Sequence, residues 1–174
     1  MKPLPDGDVT TPRLRLRRLA QGDRQAFQQI VTSAEATRFT GGTMQPQQAD
    51  LRFNELLRGA SGKLPAVRAV QLIATGETIG HCGLFEGAGE TSCELGIFLL
   101  PQHWSQGYAT EVARALIDVA LSVCGLESVR ASVDSDHAAS RRVLEKAGMT
   151  ISHWERDEAG AYPVYEIARA SLPD

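Results

Sequence analysis

Apolar and polar positions alternate at the start of the chain. In Arg13 to Arg18 (RLRLRR), Leu14 and Leu16 fall on one side and the arginines on the other, which is the period of a half-buried strand, so Thr10 to Leu19 reads as the first strand. The period then lengthens. Asp23 is placed to cap a helix running through Phe27, Ile30 and Val31, and Gly41 with Gly42 interrupts the pattern. A second helix follows Pro46, with Leu51, Phe53, Leu56 and Leu57 as its apolar stripe, and Gly59 to Pro65 forms a loop. Strand character returns in Val67 to Ala74 and Thr78 to Phe85, joined by Thr75-Gly76-Glu77 as a hairpin, and again in Ser92 to Leu100 after Gly87 and Gly89. From Tyr108 to Val123 helical spacing recurs at Val112, Leu116, Val119 and Ala120, and Gly125 marks a stop. Ser128 to Val133 is a short strand and Ala138 to Ala147 a helix stopped at Gly148. Ile151 to Asp157 and Tyr162 to Ala170 pair around Gly160. The order β-α-α-β-β-β-α-β-α-β-β predicts an α/β (α+β) fold, a mixed sheet with helices.

Length and composition bound this picture without changing it. At 174 residues the chain is expected to form a single domain over 1–174, with the first nine residues, containing Pro3, Pro5 and Gly7, as a loose tail. No apolar stretch approaches the roughly 20 residues of a membrane helix, and the N-terminus lacks a signal-peptide layout, so no membrane partner is expected. Three cysteines, Cys82, Cys93 and Cys124, contain no CxxC pair, which argues against a disulfide framework and points to a reducing, cytoplasmic setting. The four histidines add no metal-ligand spacing, so no metal is expected. A formal net charge of −3 speaks against broad nucleic-acid binding. The arginines of the first strand read either as a solvated face or as holding an anionic ligand.

The chemistry concentrates in ELGIFLLPQHWSQGYATEVARALIDVAL, Glu94 to Leu121, where a buried strand enters a short loop that opens directly into an amphipathic helix. Gly107 permits a tight backbone path and Ala109 keeps the helix start small. The amides of Gln106 to Thr110 are the helix's first, unpaired donors, and its dipole favours an anion in front of them. Hydrogen bonds to a charged acceptor contribute about 1.5–3 kcal/mol each, enough for several amides to outweigh the diffuse charge of an acidic protein. From the pattern alone the segment is either a phosphate site or a simple turn of the chain. GxxxxGK[ST] and GxGxxG are both absent.

WSQGYATEVARALIDVAL, preceded by ELGIFLL, resembles the acetyl-CoA loop of the GNAT N-acetyltransferase superfamily, closest to the branch with the Rim-type ribosomal-protein N-terminal acetyltransferases. TPRLRLRRL, ETIGHCGLF and HAASRRVLEKAGM (His137 to Met149) resemble further segments of that branch in the same order, so the likeness spans Thr11 to Glu166. The resemblance implies a mostly antiparallel central sheet flanked by helices. It implies acetyl-CoA as the cofactor, its diphosphate bound by main-chain amides of Gln106, Gly107, Tyr108, Ala109 and Thr110. Phe98 and Leu99 would line the pantetheine arm at a splay between the fourth and fifth strands, with the Leu99 amide as oxyanion donor. Trp104 opens the loop pattern, and Ser105 stands where many relatives have glycine, so a positive φ there would cost the serine energy. His137 replaces the branch's usual asparagine and Asn54, the only asparagine, lies in an early helix. His137 either contacts the cofactor or the chemistry, or caps its helix or faces solvent.

Transfer to an amine needs a neutral nucleophile, a stabilised oxyanion and a proton for the leaving thiolate. Ser140 matches the family's serine near the sulfur and is the candidate donor to the thiolate, against a reading as a first-turn residue bonding its own backbone. Glu94 is the candidate base, directly or through water, against a reading as a solvent-facing glutamate. Tyr108 and Tyr165 are secondary candidates. Freeing an α-amine at pH 7 costs roughly 1 kcal/mol, against 4–5 for lysine, so a protein N-terminus or a weakly basic small-molecule amine is the expected acceptor. Glu35, Asp50, Glu86 and Glu90 either line its entrance or are plain surface. Asp136, His137 and Ser140 do not make a hydrolase triad, for there is no GxSxG elbow. The rival reading is a catalytically idle acyl-CoA-binding or protein-interaction module on the same fold, and either a monomer or a homodimer is compatible with the sequence.

Overall fold

The computed structural model describes residues 7–59, 66–87, 89, 91–158 and 160–169. Eight strands form one sheet in the order β1-β2-β3-β4-β5-β6-β8-β7, with four α-helices. In chain order the elements are β1 Val9–Thr10, β2 Leu14–Arg18, α1 Arg24–Val31, α2 Pro46–Arg58, β3 Ala66–Leu72, β4 Thr78–Glu86, β5 Ser92–Leu99, α3 Tyr108–Asp118, β6 Ser128–Ser132, α4 Ala138–Lys146, β7 Thr150–Arg156 and β8 Ala161–Ala168. Every neighbouring pair is antiparallel except β5 with β6. The expected mixed, mostly antiparallel sheet is therefore present.

Alternation along the strands assigns the two faces. Leu14, Leu16, Val70, Cys82, Leu84, Cys93, Leu95 and Leu99 share one core with Val112, Ala113, Leu116 and Ile117 of α3. The other face carries a smaller cluster, Phe27, Ile30, Val31, Ala49, Phe53 and Leu100, beneath α1 and α2. The first of these cores buries α3 with its apolar stripe inward, as its helical spacing requires.

The structure corrects several expectations. The first strand is split, because Val9–Thr10 forms its own short strand on Leu16 and Arg15, so the loose tail does not extend to residue 9; residues 1–6 lie outside the described residues. Asp23 does not cap α1 with its side chain. Its buried carboxylate instead accepts from both terminal nitrogens of Arg17 at 2.7 Å, from the Ala20 amide and from Thr78. Burial pushes that carboxyl up, but these bonds outweigh it and hold the pKa below the usual range. Arg17 is consequently not part of a solvated arginine face. In α2 Leu51 points outward at 65% exposure, while Ala49 and Phe53 are fully buried, since the helix meets α1 along that line. After Asp118 the third helix widens into a π-turn over Val119–Val123, closed by the Cys124 amide on the Val119 carbonyl, which lets Val119, Ala120 and Leu121 all reach the core.

Candidate active site

The site begins where the sheet comes apart. β5 and β6 pair in parallel only through Ser92, Cys93 and Glu94 against Ser128, Val129 and Arg130. β5 runs on to Leu99 without that neighbour, leaving about 16 Å of strand edge on the β6 side. The Leu100 amide donates to the Ile79 carbonyl at 2.9 Å, and Gly80 lies opposite Leu99. Antiparallel bonding alternates, so the main-chain groups of Leu99 and Ile97 face away from β4, into the gap. The Leu99 side chain, 6% exposed, is turned into the core, so Leu99 offers the cleft its backbone and not its side chain. Phe98 lies on the opposite face of β5, its ring stacked on His81 with centroids 4.9 Å apart.

Beyond Leu100 a short turn, Pro101–His103, leads to the loop that starts α3. The Trp104 indole donates to the Leu99 carbonyl at 2.8 Å, folding the loop onto the end of β5. Ser105 has φ 59°, the only positive φ at a non-glycine among the described residues, and Gly107 follows at φ 82° as the N-cap of α3. That pair of left-handed turns lifts the chain off the strand and into the helix. Gly107 has no side chain to cap with, and among the described residues nothing accepts a hydrogen bond from the amides of Gln106, Gly107, Tyr108, Ala109 or Thr110. Five donors at a helix N-terminus, beside an open strand edge, form a site for an extended anionic ligand.

One arginine organises this loop. Arg13 donates from Nη1 to the Gln106 carbonyl at 3.0 Å and from Nε to Glu111 at 2.7 Å, and its guanidinium lies 4.5 Å over the Tyr108 ring. Glu111 also accepts from the Thr11 hydroxyl at 2.6 Å and from the Arg13 amide at 2.9 Å. Burial raises the Glu111 pKa, but those donors outweigh it and keep the carboxyl ionised below its ordinary range.

The candidate proton-handling groups come from three elements. Glu94 sits at the vertex, on the last paired residue of β5, and its Oε1 accepts from the Ser132 amide of β6 at 3.3 Å. Ser140 is half-buried in the first turn of α4, and its hydroxyl makes no hydrogen bond to a described residue, so it is not spent on local backbone. His137 occupies the N-cap position of α4 but makes no capping bond; its ring stacks on Phe39 at 4.4 Å, from the α1–α2 connection. Burial lowers the His137 pKa although Asp134 opposes it, favouring the neutral ring. Tyr165 is 1% exposed, donating to Glu145 and accepting from Arg141, which commits its hydroxyl to structure, while the Tyr108 ring lies under Arg13. Asp50 is bonded to Arg24 and Gln28 and is not an entrance charge; Glu90 lies outside the described residues. Burial pushes the Cys82 and Cys93 thiols up to about 12, so neither supplies a thiolate near neutral pH.

The family model for the acetyltransferase (GNAT) domain matches residues 13–150, more than half of the chain. The chain belongs to the GNAT acetyltransferase family. YkkB of Bacillus subtilis is 29% identical over 165 residues, covering 91% of this chain and 94% of YkkB. Among solved structures, a GNAT-family acetyltransferase from Bacillus anthracis has a TM-score of 0.85 at 20% identity, covering 95% of this chain and 100% of that one. RimJ of Mycobacterium smegmatis, in complex with CoA-disulfide, has a TM-score of 0.76 at 18% identity, covering 100% of this chain and 93% of RimJ. At those identities both structures establish a shared fold.

As a GNAT enzyme the chain is an acetyl-CoA-dependent acyltransferase whose acceptor is an amine. The open β5 edge and the unpartnered amides fit the donor's two main features, an extended pantetheine arm that takes strand-like hydrogen bonds and a diphosphate that needs NH donors. What the sequence left unseen in this GNAT site is lateral. Arg13 read as one of a series that either faces solvent or holds an anion, and its only distinguishing mark is Pro12, which takes it out of the strand that begins at Leu14. Phe39, an aromatic in a polar glycine-flanked loop, carried no periodic signal at all.

Proposed function

We propose that this enzyme transfers an acetyl group from acetyl-CoA to a primary amine by direct attack in a ternary complex. The amide row at Gln106–Thr110, continuous with the unpaired edge of β5, carries that reading: it suits a diphosphate joined to a linear arm and little else. The amine nitrogen attacks the thioester carbon, the carbon–sulfur bond breaks, and the sulfur leaves as a thiolate that takes up a proton. The Leu99 amide faces the gap and serves the oxyanion. Ser140, with its hydroxyl unspent, donates to the thiolate. Glu94, at the mouth where the strands part, receives the amine's proton directly or through water. His137, held by Phe39, lines the same mouth as a neutral ring. The high thiol pKa values of Cys82 and Cys93 argue against an acyl-cysteine intermediate and for attack without a covalent stage.

The acceptor we infer is a protein or peptide N-terminal α-amine, or a weakly basic small-molecule amine, in keeping with the Rim-type resemblance of the four motifs. A carboxylate bonded to one backbone amide and open to solvent suits an amine whose deprotonation costs about 1 kcal/mol better than lysine at 4–5. The test is calorimetry with CoA, then turnover with acetyl-CoA over a panel of N-terminal peptides, polyamines and aminoglycosides. CoA binding weakened by Gly107→Val supports the site, since a β-branched residue is strained at φ 82° by about 1–2 kcal/mol or more; unchanged affinity overturns it. Tight CoA binding with no acceptor acetylated would favour an idle acyl-CoA-binding module.

A further inference from the structure

We propose that Arg13 is a positioning residue for the donor's diphosphate, an inference that rests on the donor site described above. In a trans peptide the carbonyl oxygen and the following N–H point in opposite directions. Arg13 holds the Gln106 carbonyl, so the Gly107 amide of the same peptide is aimed away from the guanidinium, towards the open side of the loop. Gly107 alone does not impose that direction, because glycine at the N-cap is free to swing the peptide.

The same fork reaches three points of the loop across 93 residues of sequence: the Gln106 carbonyl, the Tyr108 ring, and Glu111 in the first turn of α3. Glu111 is in turn fixed by the Thr11 hydroxyl and the Arg13 amide, so the connection between β1 and β2 clamps the helix start. The charges matter as well. A bare carboxylate in that first turn would repel an incoming diphosphate. Arg13 cancels it, and with its side chain 48% exposed against 14% for Glu111, the cation is the member of the pair that faces solvent. Lysine could supply the charge but has one nitrogen where arginine sets Nε on the carboxylate and Nη1 on the carbonyl in a fixed plane.

The test compares CoA with pantetheine, which lacks the nucleotide diphosphate, by calorimetry on wild type, Arg13→Gln and Arg13→Lys. The expected result is a loss of roughly three- to tenfold in CoA affinity for the glutamine variant, with pantetheine affinity unchanged. Arg13→Lys should recover less than half of the loss, as a point charge without the fork. Equal losses for both ligands, or none for either, overturn the proposal, the first by making Arg13 a general brace of the fold. Full recovery by lysine also overturns it, by reducing Arg13 to its charge. If the glutamine variant does not fold, the lysine variant carries the same comparison between the two ligands. Failure of wild type to bind CoA would count against the donor site itself and is separable from all of these.

Discussion

His81 makes acid sensitivity a quantitative expectation. It lies on β4 opposite Phe98 of β5, between the rings of Phe98 and Phe27, each 4.9 Å from its own centroid. It is 7% exposed and its Nδ1 has no hydrogen-bond partner. Burial alone lowers its pKa from 6.5 to about 4. The unfolded chain therefore binds a proton between those values that the folded chain refuses, so stability is complete above about pH 6.5 and falls as pH drops towards 4. At 1.36 kcal/mol per pKa unit the whole loss is about 3 kcal/mol, of which about 2 has been incurred at pH 5. Urea unfolding at pH 7 and pH 5, on wild type and His81→Phe, isolates this contribution. Phenylalanine keeps the aromatic stack and removes both ring nitrogens. The variant should match or slightly exceed wild type at pH 7 and be about 2 kcal/mol more stable relative to it at pH 5. His137, Asp23 and Glu111 titrate in both proteins and cancel in the difference. Parallel loss of stability in the two proteins would refute the reasoning.

Three further outcomes are expected. Ser140→Ala should lower kcat by ten- to a hundredfold, on the order of general acid catalysis, with little change in KM for acetyl-CoA; equal changes in both would reassign Ser140 to binding. Glu94→Gln can still accept from the Ser132 amide but cannot take a proton, so kcat should fall by ten- to a hundredfold while the melting temperature holds, and an unchanged kcat would remove Glu94 as the base. Asp23→Ala leaves Arg17 half-buried without its carboxylate and should cost about 3 kcal/mol in urea unfolding, whereas a change below about 0.5 would show that water replaces the pair.

The legible parts of the molecule were those written in short-range pattern. Period-two alternation at Leu14–Leu16 placed β2, period 3.6 through Val112 and Leu116 placed the helix that follows the donor loop, and Gly107 marked the left-handed cap of that helix. The positions that failed share a physical cause. Asp23 has the right chemistry for a cap, but Arg17, six residues earlier on β2, offers a charged bidentate contact, and that outcompetes one backbone amide. Leu51 fits the stripe by spacing, yet α2 rotates to bury Phe53 against Phe27. The pairing of Arg13 with Glu111, and of Phe39 with His137, joins segments about a hundred residues apart, a separation at which no periodicity speaks.

The single parallel seam in the sheet has a mechanical consequence. Strands β1 to β5 and strands β6 to β8 form two ladders joined by three register pairs, by the bonds of Glu94 to Ser132 and of Thr91 to Glu127, and by the core beneath α3. A pantetheine arm lying along the bare edge of β5, as proposed above, would stitch that seam, replacing rungs the polypeptide never formed. Amide protons of Ile97 and Leu99 are therefore the ones whose exchange with deuterium should slow when the donor docks, and the two half-sheets should then open as one unit where in the empty protein they open as two.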